Sequence, residues 1–309
     1  MESQNNNAAK FAFFYMLSLV ALIFMALSSG MIIFQIINKT IVDIINQYQG
    51  QYSPDQLKFA ISALIISTPI FFIASRQIYK NLFTGALEKE SGIRKWLTYL
   101  ILFVASVVMI GWLIATINSF LNGELTTKFI LKSITAIGIA AAIFTFYLYD
   151  IRRDEVKGKK DKTISLYFYG SLIIIIAIFT SSLFFVESPT ETRNRKLDNN
   201  ILDSFSSIDS AINTYFDENN KLPDNLEIIK NEFPYITDED LMDPITKKAY
   251  EYKVISERNY ELCADFRSSN MAENMENYYK DMWPHEAGYQ CLSQKARDLN
   301  GIKEPIPVR

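Results

Sequence analysis

Cysteine and histidine are the residue types of this chain whose spacing could indicate chemistry. Cys263 and Cys291 are the only cysteines, and His285 is the only histidine. Two cysteines in an oxidising compartment readily form a disulfide. The alternatives are two free thiols or a metal site made of all three residues, but the short CxxC or HxxxH spacing typical of zinc sites is absent. The sequence therefore predicts a disulfide between Cys263 and Cys291, with no metal and no cofactor.

The same region offers few other residues for catalysis. His285 beside Glu286 could act as an acid–base pair, although a lone histidine next to a glutamate is more often a packing residue. The sequence has no GxSxG motif, no glycine-rich phosphate loop and no paired-carboxylate motif. Four nearby aromatic residues could form a sugar- or peptide-binding surface, but packing is their more ordinary role: Tyr278, Tyr279, Trp283 and Tyr289. We expect no catalytic residues and no enzymatic activity.

The elements that must position these residues fall into two unlike halves. Residues 1–186 carry 16 Lys and Arg against 10 Asp and Glu, whereas residues 187–309 carry 15 against 24. Their net charges are therefore +6 and −9. Such an asymmetry indicates two different environments.

The first half contains five apolar stretches. A helix needs roughly 20 mostly apolar residues to cross a bilayer, and open strands cannot satisfy their backbone groups in lipid. We predict transmembrane helices over residues 11–37, 57–78, 96–121, 129–149 and 164–186. The first stretch could instead be a cleaved signal sequence, but it is longer than a typical signal core, so we expect a retained helix.

The connecting loops predict the orientation of these helices. Eleven basic residues lie on or near the second and fourth connections, against three at or near the other two. Because basic residues in short loops mark the cytoplasmic side, the N-terminus is expected inside and everything after residue 186 outside. We assign this topology signal chiefly to Arg94, Lys95, Arg152 and Arg153. These loops could also bind anionic lipid head groups, but interleaved acids argue against strong lipid or nucleic-acid binding: Asp150, Asp154, Glu155 and Asp161.

Polar residues inside the predicted spans are sparse. Lys132 is the one cation expected below the interface, where a buried ionisable group would suggest transport or a proton relay. Glu124, Lys128 and Lys132 are spaced i, i+4, i+8, which would place them on one helix face and allow Lys132 to extend to the interface beside a carboxylate. No Asp or Glu falls in the middle of a span, which argues against a proton- or cation-coupled transporter.

Four segments of the membrane half carry a resemblance to a known family. They are LKFAIS at 57–62, IRKWLTYL at 93–100, FLNGELTTKFILK at 120–132 and YLYDIR at 147–152. Over residues 10–153 the chain resembles an uncharacterised bacterial membrane family, domain of unknown function 5671. The family motif at the membrane edge is carried by Glu124, Thr126, Thr127, Lys128 and Lys132. Trp112 stands where similar proteins are expected to have an acid, and the resemblance implies a bacterial membrane protein without supplying an activity.

The second half begins with a helical pattern. Apolar residues spaced 4, 4, 3, 4 and 3 predict one long amphipathic helix: Leu197, Ile201, Phe205, Ile208, Ile212 and Tyr215. A shorter helix is expected after a cap at Asp224, followed by a hairpin of strands 250–255 and 260–266. The polar residues 267–282 are expected to form a mobile loop.

This arrangement of a long helix packed on a small antiparallel sheet is similar to the periplasmic domain of pseudopilins, with the shared segments DPITKKAYEY at 243–252 and YELCADF at 260–266. The chain departs from pseudopilins because it lacks a prepilin cleavage site and has four helices before the fifth. We therefore predict a transmembrane all-α domain over residues 1–153, a basic loop and fifth helix over 154–189, and an extracytoplasmic α+β domain over 190–309. The expected partners are the lipid bilayer and other envelope proteins bound through the outer domain. The alternative function is that of a small-solute transporter or channel component.

Overall fold

The chain folds into two units, which are described separately below. The computed structural model describes residues 2–43, 50–85, 87, 92–153, 158, 161–271 and 281–297. One unit comprises Met1–Val186, and the other comprises Glu187–Arg309.

Five helices form the first unit. They are α1 (Glu2–Thr40), α2 (Pro54–Thr84), α3 (Gly92–Leu121), α4 (Thr127–Arg152) and α5 (Lys162–Leu183). All five are long and apolar enough to cross a membrane, as predicted, and they indicate a multi-pass membrane protein. The first four extend several residues beyond the predicted apolar stretches, because polar residues continue the helical turns at the ends.

Local signals explain where several of these helices begin and end. The Ser53 side chain caps α2 by accepting a hydrogen bond from the Gln56 amide, and Pro54 occupies the first turn. Gly85 ends α2 with a φ of 76°, a left-handed conformation that glycine adopts without strain. The side chains of Thr126 and Asp161 cap α4 and α5 in the same way as Ser53 caps α2.

Packing within the first unit centres on two helix pairs. Helix α1 packs chiefly on α2, and α3 packs chiefly on α4, while α1 also contacts α3, α4 and α5. The largest apolar cluster includes Ile32 on α1 and Leu57, Ala60 and Leu64 on α2, each at most 1% exposed. The outward faces of α3, α4 and α5 remain largely apolar and uncovered, as expected for helices that face lipid.

The second unit is an α+β fold. It contains α6 (Pro189–Asn219), α7 (Leu226–Glu232), a 3-10 turn (Asp238–Leu241), and strands β1 (Glu251–Val254), β2 (Asn259–Phe266) and β3 (Gly288–Lys295). The strands form one antiparallel sheet in the order β1-β2-β3. The predicted long helix and hairpin are present, but β3 was not predicted. The cap of α7 was predicted wrongly, because the Asn225 side chain, not that of Asp224, accepts the hydrogen bond from the Ile228 amide.

The core of the second unit lies between α6 and one face of the sheet. The apolar residues of α6 that predicted its amphipathic face include Ile201, Phe205, Ile208 and Ile212, all fully buried. They meet the inward residues of β2, which alternate as the strand pattern predicted: Tyr260, Leu262, Ala264 and Phe266. Trp283 completes this core with no exposed surface.

Candidate functional site

The most highly organised polar group in the first unit is an ion-pair cluster between the start of α3 and the end of α4. Arg94 Nη2 donates to the Asp150 carboxylate at 2.8 Å and to the Asp150 carbonyl oxygen at 2.9 Å. Arg153 Nη2 donates to the other carboxylate oxygen of Asp150 at 2.5 Å. All three side chains are at most 8% exposed. Because unpaired charges are costly to bury, each of these groups depends on the others.

The cluster continues to the cap of α5. Arg153 Nη1 lies 3.7 Å from the Asp161 carboxylate, which also accepts a hydrogen bond from the Tyr149 hydroxyl at 2.8 Å. Slight burial opposes ionisation of Asp161, but the hydrogen bonds from Tyr149 and from the Thr163 and Ile164 amides lower its pKa below the usual value. The network thus joins the ends of α3, α4 and α5 through alternating positive and negative groups.

A small cavity with a mixed polar and apolar lining adjoins Asp150. Its volume is about 30 Å³, and its polar lining comes from α1, α2, α3 and α4: Tyr15, Ser18, Ser75, Tyr79, Thr98, Tyr147 and Asp150. The Ser18 and Ser75 hydroxyls are 3.3 Å apart across this space. The Tyr15 hydroxyl is buried and has no hydrogen-bond partner among the residues that the structure describes.

The dimensions of this cavity limit what it can do. A buried water needs about 10–15 Å³ of accessible space and two to four polar partners, so this cavity suits one or two water molecules. Asp150 is already bound by two guanidinium groups, which leaves it poorly placed to ligate a cation. The surrounding tyrosines lie near the helix ends, where aromatic residues with a polar tip are common at a membrane interface. The cavity therefore fits a hydrated helix junction better than a solute site.

The four predicted topology residues divide between two environments. Arg94 and Arg153 belong to the buried cluster, whereas Arg152 is exposed and Lys95 is half-buried. Asp150, which the sequence suggested only as a charge interleaved among basic residues, is the partner of both buried arginines. Asp154, Glu155 and the lysines at 89, 157, 159 and 160 lie outside the described residues.

The prediction that Glu124 places its carboxylate beside Lys128 and Lys132 on one face of α4 is wrong. Thr126 caps α4, so the helix begins at Thr127 and Glu124 lies exposed in the preceding turn rather than on the helix face. The carboxylate found at this end is that of Asp43, which accepts a hydrogen bond from the Thr126 hydroxyl at 2.8 Å. Lys128 is buried at 7% exposure, and Lys132 is half-buried with its ammonium 5.9 Å from the centre of the Phe34 ring.

In the second unit, the predicted disulfide joins Cys263 and Cys291. These residues are direct partners on β2 and β3, on the sheet face opposite the core. Cys263 is buried and Cys291 is half-buried, with the Lys253 ammonium 3.8 Å from the Cys291 sulfur. Glu261 lies close to both sulfurs, but the bridge occupies the two thiol groups that a metal would require.

His285 is a buried core residue. Among the described residues, it does not join the two cysteines in a group that could hold a metal ion. Its ring stacks on Phe266 at 4.0 Å, and Nδ1 lies 3.0 Å from the Trp283 carbonyl oxygen. Burial lowers the pKa of His285 below its ordinary value of 6.5. Trp283 is likewise buried in the core, whereas Tyr289 is 57% exposed on β3. Tyr278 and Tyr279 lie outside the described residues.

A buried carboxylate that the sequence did not indicate anchors the segment after β2. Asp198 on α6 is 1% exposed and accepts hydrogen bonds from the Arg267 amide, the Ser268 amide and the Ser268 hydroxyl, at 2.6–2.9 Å. Asn270 then bonds the Trp283 carbonyl oxygen and the His285 amide. The expected mobile loop therefore begins with anchored residues, and its positions 272–280 lie outside the described residues.

A second carboxylate of α6 is hydrogen-bonded to a core residue of the sheet. Asp209 accepts a hydrogen bond from the hydroxyl of the fully buried Tyr260. Burial raises the pKa of Asp209 above its usual value, although the bond from Tyr260 and the charge of Arg297 oppose this shift. The sequence pattern placed Asp209 on the polar side of the helix and gave no sign of this contact.

Comparison with known proteins finds a match within the membrane unit alone. The family model described as Domain of unknown function (DUF5671) matches residues 12–147. The match ends three residues before Asp150 but includes most of the cavity lining. No curated protein and no solved structure matches the chain.

Proposed function

We propose that this protein is a non-enzymatic bacterial envelope protein whose C-terminal unit lies outside the cytoplasm and binds another envelope protein. The observation that carries this proposal is the Cys263–Cys291 disulfide in the unit that follows the fifth membrane helix. Disulfides persist in oxidising compartments and are rare in the cytoplasm. The excess of basic residues in the second and fourth connections supports the same orientation.

A pair of reporter fusions tests the orientation. We expect an enzyme that matures only outside the cytoplasm to be active when fused after Arg309 and inactive when inserted at Gly158, in the α4–α5 connection. The matched pair controls for expression, because both fusions carry the same membrane helices. The reverse pattern of activities would rule out the proposed orientation.

The shape of the second unit supports a binding role. One long helix packed on a small antiparallel sheet resembles the periplasmic domain of pseudopilins, which favours a subunit of a secretion- or pilus-related assembly as the partner. Strands β1 and β3 each pair with β2 alone among the described strands, so each has an edge available for pairing. At the end of β1, Val254 and Ile255 expose 49% and 58% of their surface.

Site-specific crosslinking in native membranes tests this role. We expect a photoreactive side chain at Ile255 to capture a distinct envelope protein, whereas the same group at Tyr235, which is equally exposed at 57%, captures much less. Capture of only the protein itself, or equal capture from both positions, would contradict partner binding through the β1 edge.

Transport of a small solute is the second candidate function. The cavity beside Asp150 favours it, because hydroxyl groups from four helices converge there. Its volume of about 30 Å³ limits it to water-sized occupants without a rearrangement of the helices. Uptake by vesicles that contain the purified protein would support transport, and no uptake from a broad set of substrates would count against it.

A further inference from the structure

The end of the membrane unit that carries the α1–α2 and α3–α4 connections has an excess of positive charge, and two of its lysines lie together. Residues 38–58 and 122–132 contain four lysines and three acids, and the intervening residues 44–49 carry no charged side chain. The three acids are Asp43, Asp55 and Glu124. Asp55 and Glu124 are both exposed, whereas Asp43 is half-buried and lies within electrostatic range of Lys132.

Lys128 and Lys132 are one helical turn apart on α4, and each lies within electrostatic range of the other. Lys128 is covered by protein to 7% exposure, yet it has no hydrogen bond or ion pair with any residue that the structure describes. Lys132 is half-buried, with its ammonium against Gly50 and near the Phe34 ring. Two neighbouring cations repel each other, and a bound anion would relieve that repulsion.

The other cations at this end are engaged elsewhere. Lys39 donates to the Phe185 carbonyl oxygen at 3.3 Å and lies over the Tyr52 ring at 4.7 Å. Lys58, on α2 in the turn after Asp55, also takes part in an interaction with another residue. The unbalanced charge is therefore concentrated at Lys128 and Lys132, beside the amide groups at the start of α4, which attract anions.

The depth and surroundings of this lysine pair suit a lipid phosphate. Lys132 is five residues after Thr127, about 7.5 Å along the helix, which matches the head-group region and the start of the hydrocarbon. An apolar surface adjoins the pair on the outside of α4, where Leu131 exposes 36% of its surface. A phosphate at the lysines would thus place acyl chains against an uncovered apolar face.

We propose that Lys128 and Lys132 form a binding site for a phosphate group, supplied by an anionic phospholipid. This inference goes beyond the proposed partner binding and does not depend on it, because the site lies wholly in the membrane unit. The stem of Lys128 is covered by protein while its ammonium keeps access to the surface, so the charge is available to a phosphate.

Native mass spectrometry and thermal unfolding of the full-length protein test the site. Purified protein in neutral detergent is titrated with phosphatidylglycerol, with diacylglycerol as the lipid that lacks phosphate, and with inorganic phosphate. We expect phosphatidylglycerol to be retained and to raise the melting temperature. The Lys128→Gln/Lys132→Gln variant should bind it about 30-fold more weakly, since each lysine near a lipid phosphate contributes about a fivefold gain in affinity.

Two further variants separate binding from folding. Lys128→Arg/Lys132→Arg keeps both charges and should retain most of the affinity, while Lys58→Gln removes one charge at the same end and should change it little. Equal protection by inorganic phosphate, with the same loss in the double variant, would support a phosphate site but overturn the lipid as its source. Unchanged phosphatidylglycerol binding in Lys128→Gln/Lys132→Gln would overturn the site itself.

Discussion

Removing one partner of the Arg94–Asp150 pair is expected to destabilise the membrane unit severely. Asp150→Asn leaves the two guanidinium groups of Arg94 and Arg153 facing each other at sites that expose 2% and 8% of their side chains. Breaking a buried ion pair by removing one partner typically costs about 3–5 kcal/mol. We expect about 4 kcal/mol for Asp150→Asn. Arg94→Met should cost about 2–3 kcal/mol, because Arg153 still neutralises the carboxylate.

A double-mutant cycle tests whether this loss of stability comes from an uncompensated buried charge. If the cost arises from an uncompensated charge, Arg94→Met/Asp150→Asn should lose less stability than the sum of the two single variants, with a coupling energy of at least about 1.5 kcal/mol. The assay is thermal or denaturant unfolding of the full-length protein in detergent, with retained helicity as the readout. Arg152→Met is the matched control, since it removes an exposed cation from the same helix turn and should cost less than about 1 kcal/mol. Additive losses, or single variants no worse than the control, would refute the reasoning.

Three further predictions concern the C-terminal unit, whose only tryptophan, Trp283, reports its unfolding in a Trp96→Phe/Trp112→Phe background. Asp198→Ala should cost about 3 kcal/mol, because it leaves the Arg267 and Ser268 amides unsatisfied, whereas the exposed Glu218→Ala on the same helix should change little. Replacing both cysteines by serine should cost about 3–4 kcal/mol, the loop-closure value for a separation of 28 residues, and a loss below 1 kcal/mol would contradict it. Stability should fall as the pH drops below about 6.5, because the pKa of His285 is lowered on folding and the unfolded chain takes up a proton first. His285→Gln should remove that part of the slope, and an identical slope in both proteins would exclude His285 as its source.

The elements with strong periodicity were predictable from the sequence. The five apolar stretches need no tertiary information, since their length and composition alone fit a bilayer. The amphipathic helix around Phe205 and the alternation of β2 from Tyr260 to Phe266 were equally clear, because each buries one face against the same core. The disulfide followed from having two cysteines in one domain.

The features that were missed depend on contacts between distant segments. Leu292 is the only buried residue of strand β3, and Ala296 follows just after the strand ends, so β3 gives little apolar alternation. The Arg94–Asp150 pair joins residues 56 positions apart. A usable signal existed, because α3 and α4 are adjacent antiparallel helices and Arg94 and Asp150 fall at the ends that must meet. The role of Glu124 was wrong because one capping hydroxyl, that of Thr126, decides where α4 begins.

The most direct test of the central claim, that the C-terminal unit lies outside the cytoplasm in an oxidised state, uses the two native cysteines. Right-side-out and inverted membrane vesicles are treated with a membrane-impermeant maleimide, before and after a membrane-impermeant reductant. We predict no labelling before reduction, labelling of at least the half-buried Cys291 after reduction in right-side-out vesicles, and none in intact inverted vesicles. Labelling of intact inverted vesicles, or of either preparation without reductant, would contradict the account.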